Sequence, residues 1–418
     1  MIRAVIFDWG GVLMRNMDIR PRMAWERRLG LPPNGLTDLF FGTAAWERAE
    51  RGEATIEDVW AEVARSLPLS PDDLAALKRD FWAGDRLDEG LLEIIRALRR
   101  KGIRIGFLSN FSAELARLLT DLGIRKLFDA VVISAEVGAT KPDPTIYRRA
   151  LEQLHVAPEE ALFVDDWRPN VEAAQQLGMS GVRFRGIVSL QRALAAAGLP
   201  ISPPVIQPVP GIRAVIFDWG GVLSPLNFLN RSLHWEKRLG LPAGTLDRAL
   251  WGPEWKLLEI GAISQEEYDR YLMSALHLPD WEAVQQFYQE YYADDGLDTD
   301  VVAAVRHLRG QYRVALLTNA FPGHAESLRR RHDFDPRAEF DVYVNSAEVG
   351  LAKPDPAIYQ LTLDRLGVRP AEAVFIDDHV RNTDAARLLG MHTITCTDPQ
   401  TALADLAVML GHAVKGEK

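Results

Sequence analysis

The stretch of sequence that decides the fold is Ile2–Leu13, which reads IRAVIFDWGGVL and recurs without a change at Ile212–Leu223. In each copy an apolar run predicts a short buried strand, an aspartate follows it, and a Gly-Gly pair predicts a tight loop. Because further motifs recur in the same order about 210 residues later, we predict two whole domains rather than a solenoid of short repeats. These motif pairs are Ser109-Asn110 with Thr318-Asn319, Lys141-Pro142-Asp143-Pro144 with Lys353-Pro354-Asp355-Pro356, and Asp165-Asp166 with Asp377-Asp378.

The composition narrows the class of protein. A length of 418 residues suits two domains of roughly 200 residues each. The net charge of −10 argues against a general nucleic-acid or anionic-membrane partner, because both require basic surfaces. A single cysteine, Cys396, excludes an intrachain disulfide framework and fits a reducing cytosol. Since neither a signal peptide nor an apolar run of ~20 residues is present, we expect a cytoplasmic protein without a membrane segment.

Short apolar runs alternate with helical patterns in each copy. Such runs, rich in β-branched and aromatic residues, predict strands buried on both faces, and the alternation predicts a parallel sheet with helices on both sides. The fold class is therefore α/β, with two tandem domains. In the first copy the predicted strands are Ala4–Phe7, Ile103–Leu108, Ala130–Ile133 and Ala161–Val164. A polar residue follows each of them, which is typical of the ligand-binding carboxyl edge of an open sheet: Asp8, Ser109, Ser134 and Asp165.

One long interval in each copy interrupts this alternation. From about Met14 to Asp88 the pattern favours helices, and a helical module inserted at the active edge of a sheet is placed to cover that edge. In the first copy we predict helices over Met23–Leu29, Leu36–Arg51, Thr55–Leu67 and Ser70–Trp82. In the second copy the predictions are Ser232–Leu239, Leu246–Gly261, Ser264–Leu276 and Trp281–Tyr292.

These patterns set the predicted domain boundaries. Domain 1 spans residues 1–198, with its core at 1–14 and 89–198 and its helical cap at 15–88. Residues 199–211 form a proline-rich linker, for which an extended, semi-rigid conformation is expected. Domain 2 spans residues 212–412, with its core at 212–224 and 298–412 and its cap at 225–297. Residues 413–418 form a tail.

The residues at the predicted strand ends carry the parts of phosphoryl transfer. An aspartate can act as a nucleophile through an aspartyl-phosphate, and a lysine offers a compact positive charge for a phosphate. A pair of aspartates supplies the hard oxygen ligands that Mg²⁺ prefers. Each motif alone has an ordinary structural interpretation as a turn or a helix cap. The ordered set, present twice, favours catalysis.

This ordered set resembles the haloacid dehalogenase superfamily of aspartate-nucleophile hydrolases, in particular the subgroup whose helical cap is inserted between the first two motifs. The resemblance covers both halves of the chain and implies a Rossmann-like core with a four-helix cap. It implies Asp8 and Asp218 as nucleophiles, Ser109 and Thr318 as phosphate hydrogen-bonders, and Lys141 and Lys353 as the charge that holds nucleophile and phosphate together. It implies a Mg²⁺ site in each copy, formed by Asp8, Gly10, Asp165 and Asp166 and by Asp218, Gly220, Asp377 and Asp378. The substrate-binding positions would be Gly11, Asn110 and Arg15 in the first copy and Gly221 and Asn319 in the second.

One departure from the family pattern bears on the mechanism. Phosphatases of the superfamily usually carry a second aspartate two residues after the nucleophile, where this chain has Gly10 and Gly220. Glycine keeps the main-chain carbonyl that binds the metal but lacks the carboxyl that serves as general acid and base. That assistance is typically worth ~10²–10⁴-fold in rate. We therefore expect slow turnover, another proton donor, or a substrate whose leaving group needs little protonation.

The two copies differ near the predicted cap mouth and after the metal motif. Arg15 could contact a phosphate or be an ordinary surface arginine; its surroundings, Met14-Arg15-Asn16, correspond to Ser224-Pro225-Leu226-Asn227 in the second copy. His379, which replaces Trp167, could donate a proton or lie exposed on a loop. Helical spacing predicts that Trp25 and Trp235 pack the cap.

The leading hypothesis is a Mg²⁺-dependent phosphatase with two active sites that acts on a small phosphorylated metabolite, such as a sugar 1-phosphate or an acyl phosphate. A 2-haloacid dehalogenase is the alternative hydrolase, although dehalogenases of the family work without Mg²⁺. A catalytically weak tandem scaffold is the alternative outside enzymology, and the retained acidic pairs argue against it. The sequence carries no signal for an oligomeric state.

Overall fold

The computed structural model describes residues 1–224, 228–242, 244–293 and 295–414. The chain divides into two compact units, Met1–Val205 and Ile206–Lys418. Pro225, Leu226 and Asn227, which the sequence places at the mouth of the second cap, lie outside the described residues, as does most of the predicted tail. No described helix combines the length and apolar character that crossing a membrane requires.

The first unit contains seven strands and eleven α-helices among its described residues. In chain order they are β1 Ala4–Phe7, β2 Met14–Asn16, α1 Arg20–Leu29, α2 Gly35–Phe41, α3 Ala44–Ala49, α4 Ile56–Ser66, α5 Pro71–Trp82, β3 Asp85–Leu87, α6 Glu89–Arg100, β4 Arg104–Ser109, α7 Leu115–Asp121, β5 Ala130–Ile133, α8 Ser134–Val137, α9 Pro144–Leu154, β6 Ala161–Asp165, α10 Arg168–Gln176, β7 Ser180–Arg183 and α11 Ile187–Ala196.

The second unit follows the same order in its described residues, except that it has no counterpart of β2 and β3 there and has one additional short helix, α19. Its elements are β8 Ala214–Phe217, α12 Phe228–Leu239, α13 Thr245–Trp251, α14 Pro253–Leu258, α15 Gln265–Ala275, α16 Trp281–Tyr291, α17 Thr299–Leu308, β9 Arg313–Thr318, α18 His324–His332, α19 Pro336–Glu339, β10 Val342–Asn345, α20 Ser346–Val349, α21 Pro356–Leu366, β11 Ala373–Asp377, α22 Val380–Leu388, β12 His392–Thr395 and α23 Pro399–Leu410.

Each unit is built on a five-stranded parallel sheet, ordered β5-β4-β1-β6-β7 in the first and β10-β9-β8-β11-β12 in the second. The predicted α/β class with two tandem parallel-sheet cores is confirmed. In the central strand Phe7 pairs with Phe107 on one side and with Val164 on the other. Because parallel strands end at the same edge, this register brings Asp8 to the edge between the ends of β4 and β6.

The side chains of β1 alternate between two apolar layers, as the two-residue period of a strand dictates. Val5 and Phe7 pack in a cluster with buried residues of α6, α7 and α11. Ala4 and Ile6 face the opposite layer, formed mainly by α9 and residue Ala174 of α10. Helices on both faces account for the fully buried strand. The second unit has the same two layers around β8.

A third apolar cluster lies within the helical module between β2 and β3. It gathers buried side chains from all five helices α1–α5, including Trp25, Phe40 and Trp60. The packing role predicted for Trp25 and Trp235 matches their burial in the two cap clusters. Glu26 and Glu236, the residues that follow them, accept the backbone N–H of Leu36 and Leu246.

The module has five helices in each unit's described residues, where the family resemblance implied four. The continuous helix predicted over Leu36–Arg51 was wrong: α2 ends at Gly42, and the Thr43 side chain caps α3 by accepting the Trp46 N–H. In the second unit Gly252 and Pro253 make the same break between α13 and α14. The N-cap residue Thr43 and the helix-starting Pro253 outweigh the apolar periodicity that runs through these breaks.

Three strands of the first unit, β2, β3 and β7, escaped prediction. Strands β2 and β3 form an antiparallel ribbon at the two junctions between module and core, although no strand was expected between Met14 and Asp88. Strand β7, Ser180–Arg183, pairs with β6 at the sheet edge. Its residues are exposed or partly buried, so it lacks the apolar signature of the inner strands.

The predicted linker, residues 199–211, has both ends packed against a unit. Leu199 is buried and Ile201 partly buried in the first core. Ile206 and Val209 pack against the second core, where the Val209 N–H donates to the Met409 carbonyl. The division into units falls between residues 205 and 206. The domain boundaries drawn from the sequence stay a prediction.

The module touches the core at one tight point. Gly52 has a φ of +79°, and a Cβ atom placed there would lie 2.4 Å from the carbonyl oxygen of Ala135, just beyond β5. Gly261 has the same relation to Ala347, at 2.6 Å. Only glycine combines this conformation with so close an approach of two backbones. The residues around Gly52 therefore dock on the carboxyl edge of the sheet.

We expect Gly52→Ala to loosen this docking, whereas Gly30→Ala is a matched control. Both positions have positive φ, so both substitutions cost about 1–2 kcal/mol in backbone conformation, but a Cβ at Gly30 meets nothing within 4 Å. Hydrogen exchange should therefore accelerate at residues 50–56 in Gly52→Ala and remain unchanged there in Gly30→Ala. Equal exchange of this segment in the two variants would contradict the docking.

Candidate active site

A buried lysine joins two carboxylates at the edge of the first sheet. Lys141 Nζ lies 2.7 Å from Asp8 Oδ1 and 2.6 Å from Asp165 Oδ2. Asp8 follows β1, Asp165 ends β6, and the lysine reaches both from the loop between α8 and α9. All three side chains are buried. The ammonium therefore fixes the aspartate at the end of the central strand.

The second unit repeats this geometry closely. Lys353 Nζ lies 2.6 Å from Asp218 Oδ1 and 2.7 Å from Asp377 Oδ2, and these three side chains are also buried. Two sites with the same contacts have been retained by sequences that differ at most other positions.

The first acid of each acidic pair has its oxygens engaged by protein donors. Asp165 Oδ1 accepts the Trp167 N–H at 2.8 Å, and Oδ2 accepts Asn170 Nδ2 at 3.0 Å in addition to Lys141. Asp377 is held in the same way by His379 N–H, Asn382 and Lys353. This aspartate acts mainly to position the lysine.

The second acid of each pair lies against the Gly-Gly loop. A Cβ atom at Gly11, where φ is +73°, would stand 2.2 Å from Asp166 Oδ2. At Gly221 it would stand 2.6 Å from Asp378 Cγ. The glycines therefore let the loop backbone pass directly over the second acid, which a side chain at that position would displace.

Three carboxylates in each unit are arranged so that they could hold a metal ion. One oxygen from each of Asp8, Asp165 and Asp166 lies within 4.8 Å of the others, and the same holds for Asp218, Asp377 and Asp378. One ammonium offsets only part of three buried negative charges, and carboxylate oxygens are the ligands of a hard divalent cation. The donor set therefore fits Mg²⁺.

The pKa values reflect this surplus of buried negative charge. Burial, together with Asp165 and Asp166, raises the pKa of Asp8 well above its ordinary value despite the opposing effect of Lys141. Burial and the Asp165 charge raise the pKa of Asp166 to about 6. Burial lowers the pKa of Lys141, but Asp8 and Asp165 more than offset this, so its pKa is raised and the lysine stays charged. A bound cation would relieve the repulsion between the carboxylates.

The asparagine that follows Ser109 or Thr318 in each unit holds the loop that carries the lysine. Asn110 Nδ2 donates to the Lys141 carbonyl at 2.9 Å, and its Oδ1 accepts the Lys141 N–H at 2.7 Å. Asn319 makes both contacts with Lys353. Since α7 begins four residues after Phe111, the alternative interpretation of Asn110 as a helix cap does not apply. Contact of Asn110 and Asn319 with substrate stays a prediction.

Three other predicted positions lie in definite surroundings. The Arg15 guanidinium is buried, forms an ion pair with Asp88, the N-cap of α6, and lies over the Phe184 ring. It is therefore not an ordinary surface arginine, and its contact with a phosphate stays a prediction. His379 is largely exposed, with Nε2 3.7 Å from Asp378 Oδ1. Cys396 is buried, and its Sγ lies 3.3 Å from the Gly221 carbonyl.

Sequence reasoning missed one acidic residue in each cap. Glu50 follows α3 and Glu259 follows α14. The positive charge of the buried lysine in the same unit opposes the rise in each glutamate's pKa that burial causes. The signal was present in the comparison of the two copies. Both glutamates lie between a matched tryptophan and a matched glycine, in Trp46–Gly52 and Trp255–Gly261. The two glutamates are separated by the same number of residues as Ser109 and Thr318.

Two α/β cores, each ending in a lysine-bridged aspartate beside an acidic pair, define an aspartate-based hydrolase. The chain belongs to the haloacid dehalogenase-like hydrolase family, whose model matches residues 2–178 and 212–390. Acyl-CoA dehydrogenase family member 10 of Mus musculus is 34% identical over 209 residues, which cover 48% of this chain but only 19% of that protein. The sesquiterpene phosphatase astK of Aspergillus oryzae is 31% identical over 183 residues, which cover 44% of this chain and 89% of that protein.

Solved structures show the same similarity. A haloacid dehalogenase family enzyme from Bacteroides thetaiotaomicron, in complex with magnesium and inorganic phosphate, is 26% identical. The match covers 44% of this chain and 94% of that one, with a TM-score of 0.40.

We expect Lys141→Met to destabilise the first unit by about 3–5 kcal/mol, because it leaves two buried carboxylates without their cation. Lys126→Met, at an exposed position of the same unit, is the control and should change stability by no more than about 0.5 kcal/mol. Hydrogen exchange of the β1 and β4 amides against denaturant reports the stability of this unit alone. Equal protection in the two variants would show that the lysine is not required to hold the carboxylates.

Proposed function

We propose that each domain is a Mg²⁺-dependent phosphatase that transfers a phosphoryl group to its aspartate, Asp8 or Asp218, and then to water. The observation that carries this proposal is the pair of buried ammonium bridges from Lys141 and Lys353 to these aspartates. A nucleophile fixed by a cation beside an acidic cluster is suited to an anionic electrophile.

The lysine gives the nucleophile its orientation. Because Lys141 holds Oδ1 of Asp8, the second oxygen, Oδ2, is left for attack on phosphorus. The same ammonium offsets part of the negative charge that a phosphate brings to the site. Asp165 keeps the lysine in place, so the attacking carboxylate remains at the end of the central strand throughout the reaction.

Asp8 and Asp166, with the Gly10 carbonyl, would hold the metal ion in the first domain, while Asp165 assists directly or through water. Asp218, Asp378 and the Gly220 carbonyl, with Asp377, correspond to them in the second. Bound there, the ion supplies charge neutralisation and orientation for the phosphoryl oxygens. Ser109 and Thr318 end the neighbouring strands β4 and β9 and would donate their hydroxyl hydrogens to those oxygens. The loop backbone at Gly11 and Gly221 can approach the phosphate closely.

The site and one of the relatives support a proposal for the substrate class. The similarity to a sesquiterpene phosphatase supports a phosphorylated small molecule. Sugar 1-phosphates and acyl phosphates suit a site with glycine at positions 10 and 220, because their leaving groups are easier to expel than simple alkoxides. The five-helix cap covers the active edge and would select among such substrates.

Phosphate release tests the function directly. We expect the wild-type chain to release phosphate from a panel of aryl phosphates, sugar 1-phosphates and acyl phosphates with Mg²⁺, and to lose this activity in EDTA. Asp8→Asn and Asp218→Asn should each abolish one site, and the double variant should abolish both.

The double variant is also the background control for this assay. Phosphate release that persists in it would overturn the aspartyl-phosphate route. A wild type with no more activity than the double variant on every substrate would overturn the phosphatase proposal, and halide release from 2-haloacids would then test the dehalogenase alternative.

The metal assignment gives a separate prediction. In a chain whose second site is disabled by Asp218→Asn, Asp166→Asn should raise the Mg²⁺ concentration needed for half-maximal activity by at least tenfold, because one charged ligand is lost. Asp143→Asn is the control: this aspartate caps α9, and its oxygen accepts the Thr145 N–H. An unchanged Mg²⁺ requirement in Asp166→Asn would exclude it as a ligand.

A further inference from the structure

Phosphoryl transfer to Asp8 requires a proton for the departing oxygen, unless that oxygen is already a weak base. The charged groups at the sheet edge are engaged: the lysine bridges two carboxylates, and the acidic pair is placed for a cation. Position 10 offers no side chain, and a Cβ there would meet nothing within 4 Å. A proton donor therefore has to come from outside the core motifs.

The cap brings one carboxyl group toward this edge. Glu50 is the C-cap residue of α3, and Trp46 lies one turn earlier on the same helix. The Trp46 ring packs edge-on against Phe111, with centroids 5.2 Å apart. Phe111 lies two residues beyond Ser109. The end of α3 that carries Glu50 thus packs, through Trp46, against the loop that follows the Ser109 hydroxyl.

The chain immediately after Glu50 is tied to the core as well. Gly52 lies against the Ala135 carbonyl, directly after β5. The N–H of Ile56 donates to Glu114 in the segment that leads into α7. Contacts on both sides of Glu50 therefore hold it between cap and core, where a substrate on Asp8 would be enclosed.

The second unit keeps each part of this arrangement. Glu259 is the C-cap residue of α14, is only 9% exposed, and follows Trp255 by one helical turn. Gly261 docks on the Ala347 carbonyl. The residues between are not kept, since Arg51 corresponds to Ile260 and Arg48 to Leu257. Retention of the glutamate with its tryptophan and glycine separates these three from their neighbours.

Burial of the two carboxyl groups favours a role as proton carriers. Burial raises the pKa of Glu50, against the Trp46 hydrogen bond and the Lys141 and Arg51 charges; Glu47 raises it further. Burial raises the pKa of Glu259 to about 7, although Lys256, Lys353 and Arg381 and the Trp255 hydrogen bond all lower it. An acid with a pKa near the working pH both gives and takes protons efficiently.

We propose that Glu50 and Glu259, from the caps, are the general acid and base of the two sites, an inference that rests on the phosphatase function proposed above. As the bond between phosphorus and Asp8 forms and the bond to the leaving oxygen breaks, Glu50 gives its proton to that oxygen. The resulting carboxylate then takes a proton from water. That water attacks phosphorus, the bond to Asp8 breaks, and inorganic phosphate and the protonated Glu50 are restored.

The test compares two leaving groups at one site. In a chain with Asp218→Asn, Glu50→Gln should lower kcat/KM for an alkyl phosphate, glycerol phosphate, by ~10²–10⁴-fold. It should lower kcat/KM for p-nitrophenyl phosphate less than about tenfold, because nitrophenolate leaves without a proton. Glu259→Gln in a chain with Asp8→Asn is the parallel experiment. In that chain, with Glu259 present, activity toward the alkyl phosphate should fall above a pH of about 7, because the acid is then ionised. In Glu259→Gln this fall with pH should be absent.

Two variants separate proton transfer from a structural role. Glu57→Gln, at an exposed carboxyl on the next cap helix α4, should leave the ratio of the two activities unchanged. Gly10→Asp, added to Glu50→Gln, places a carboxyl in the open space beside the nucleophile and should restore activity toward glycerol phosphate. Restoration by a group in the core would show that the missing part was a proton donor rather than cap packing.

The outcomes distinguish this inference from the function on which it rests. If the parent chain hydrolyses p-nitrophenyl phosphate and Glu50→Gln lowers both substrates by the same factor, or neither, the general-acid role is overturned. If the parent chain hydrolyses neither substrate above the Asp8→Asn/Asp218→Asn background, the phosphatase function itself has failed.

Discussion

The ion pair between a buried ammonium and the aspartate on the central strand is the constraint on which the rest of each unit depends. Removing these charges from water costs several kcal/mol per ion, and geometry has to repay it. Lys141 therefore needs Asp8 and Asp165 at fixed positions. The register of β1 with β6 supplies those positions, and the hydrogen bond from the Lys141 N–H to Asn110 holds the lysine backbone. The order of the strands, the conformation of the loop and the identity of these side chains together maintain the contact between Lys141 and Asp8.

The duplication shows which features this contact requires. Both units keep the lysine bridge, the asparagine clamp and the glycine that passes over the second acid. They differ around these features: Phe111 against the first cap corresponds to Ala320, and exposed Trp167 corresponds to His379. The lysine-bridged acidic cluster is thus the same in both units, while the residues around it differ.

The sequence predicted the inner strands, the α/β class and the clustering of acids at one sheet edge, because buried strands and repeated motifs leave direct signals. It could not predict the β2–β3 ribbon, which pairs residues about 70 positions apart and has no alternating pattern. Arg15 shows the same limit, since its partner Asp88 lies across that ribbon. The break at Gly42 was hidden because apolar periodicity continues through it.

Glu50 is a residue whose position in the tertiary structure could not be predicted from local sequence patterns. By spacing alone it is one more charged residue in a helical stretch, and only the docking of Gly52 on Ala135 brings it to the sheet edge. Under the proposed mechanism, the reaction is divided between the two parts of one unit: the core would fix the nucleophile and offset the phosphate charge, and the cap would carry the proton. Such a site would be chemically complete only when the cap is docked. Placing the acid on the cap therefore links proton transfer to enclosure of the substrate, a link that an aspartate at position 10 would not provide.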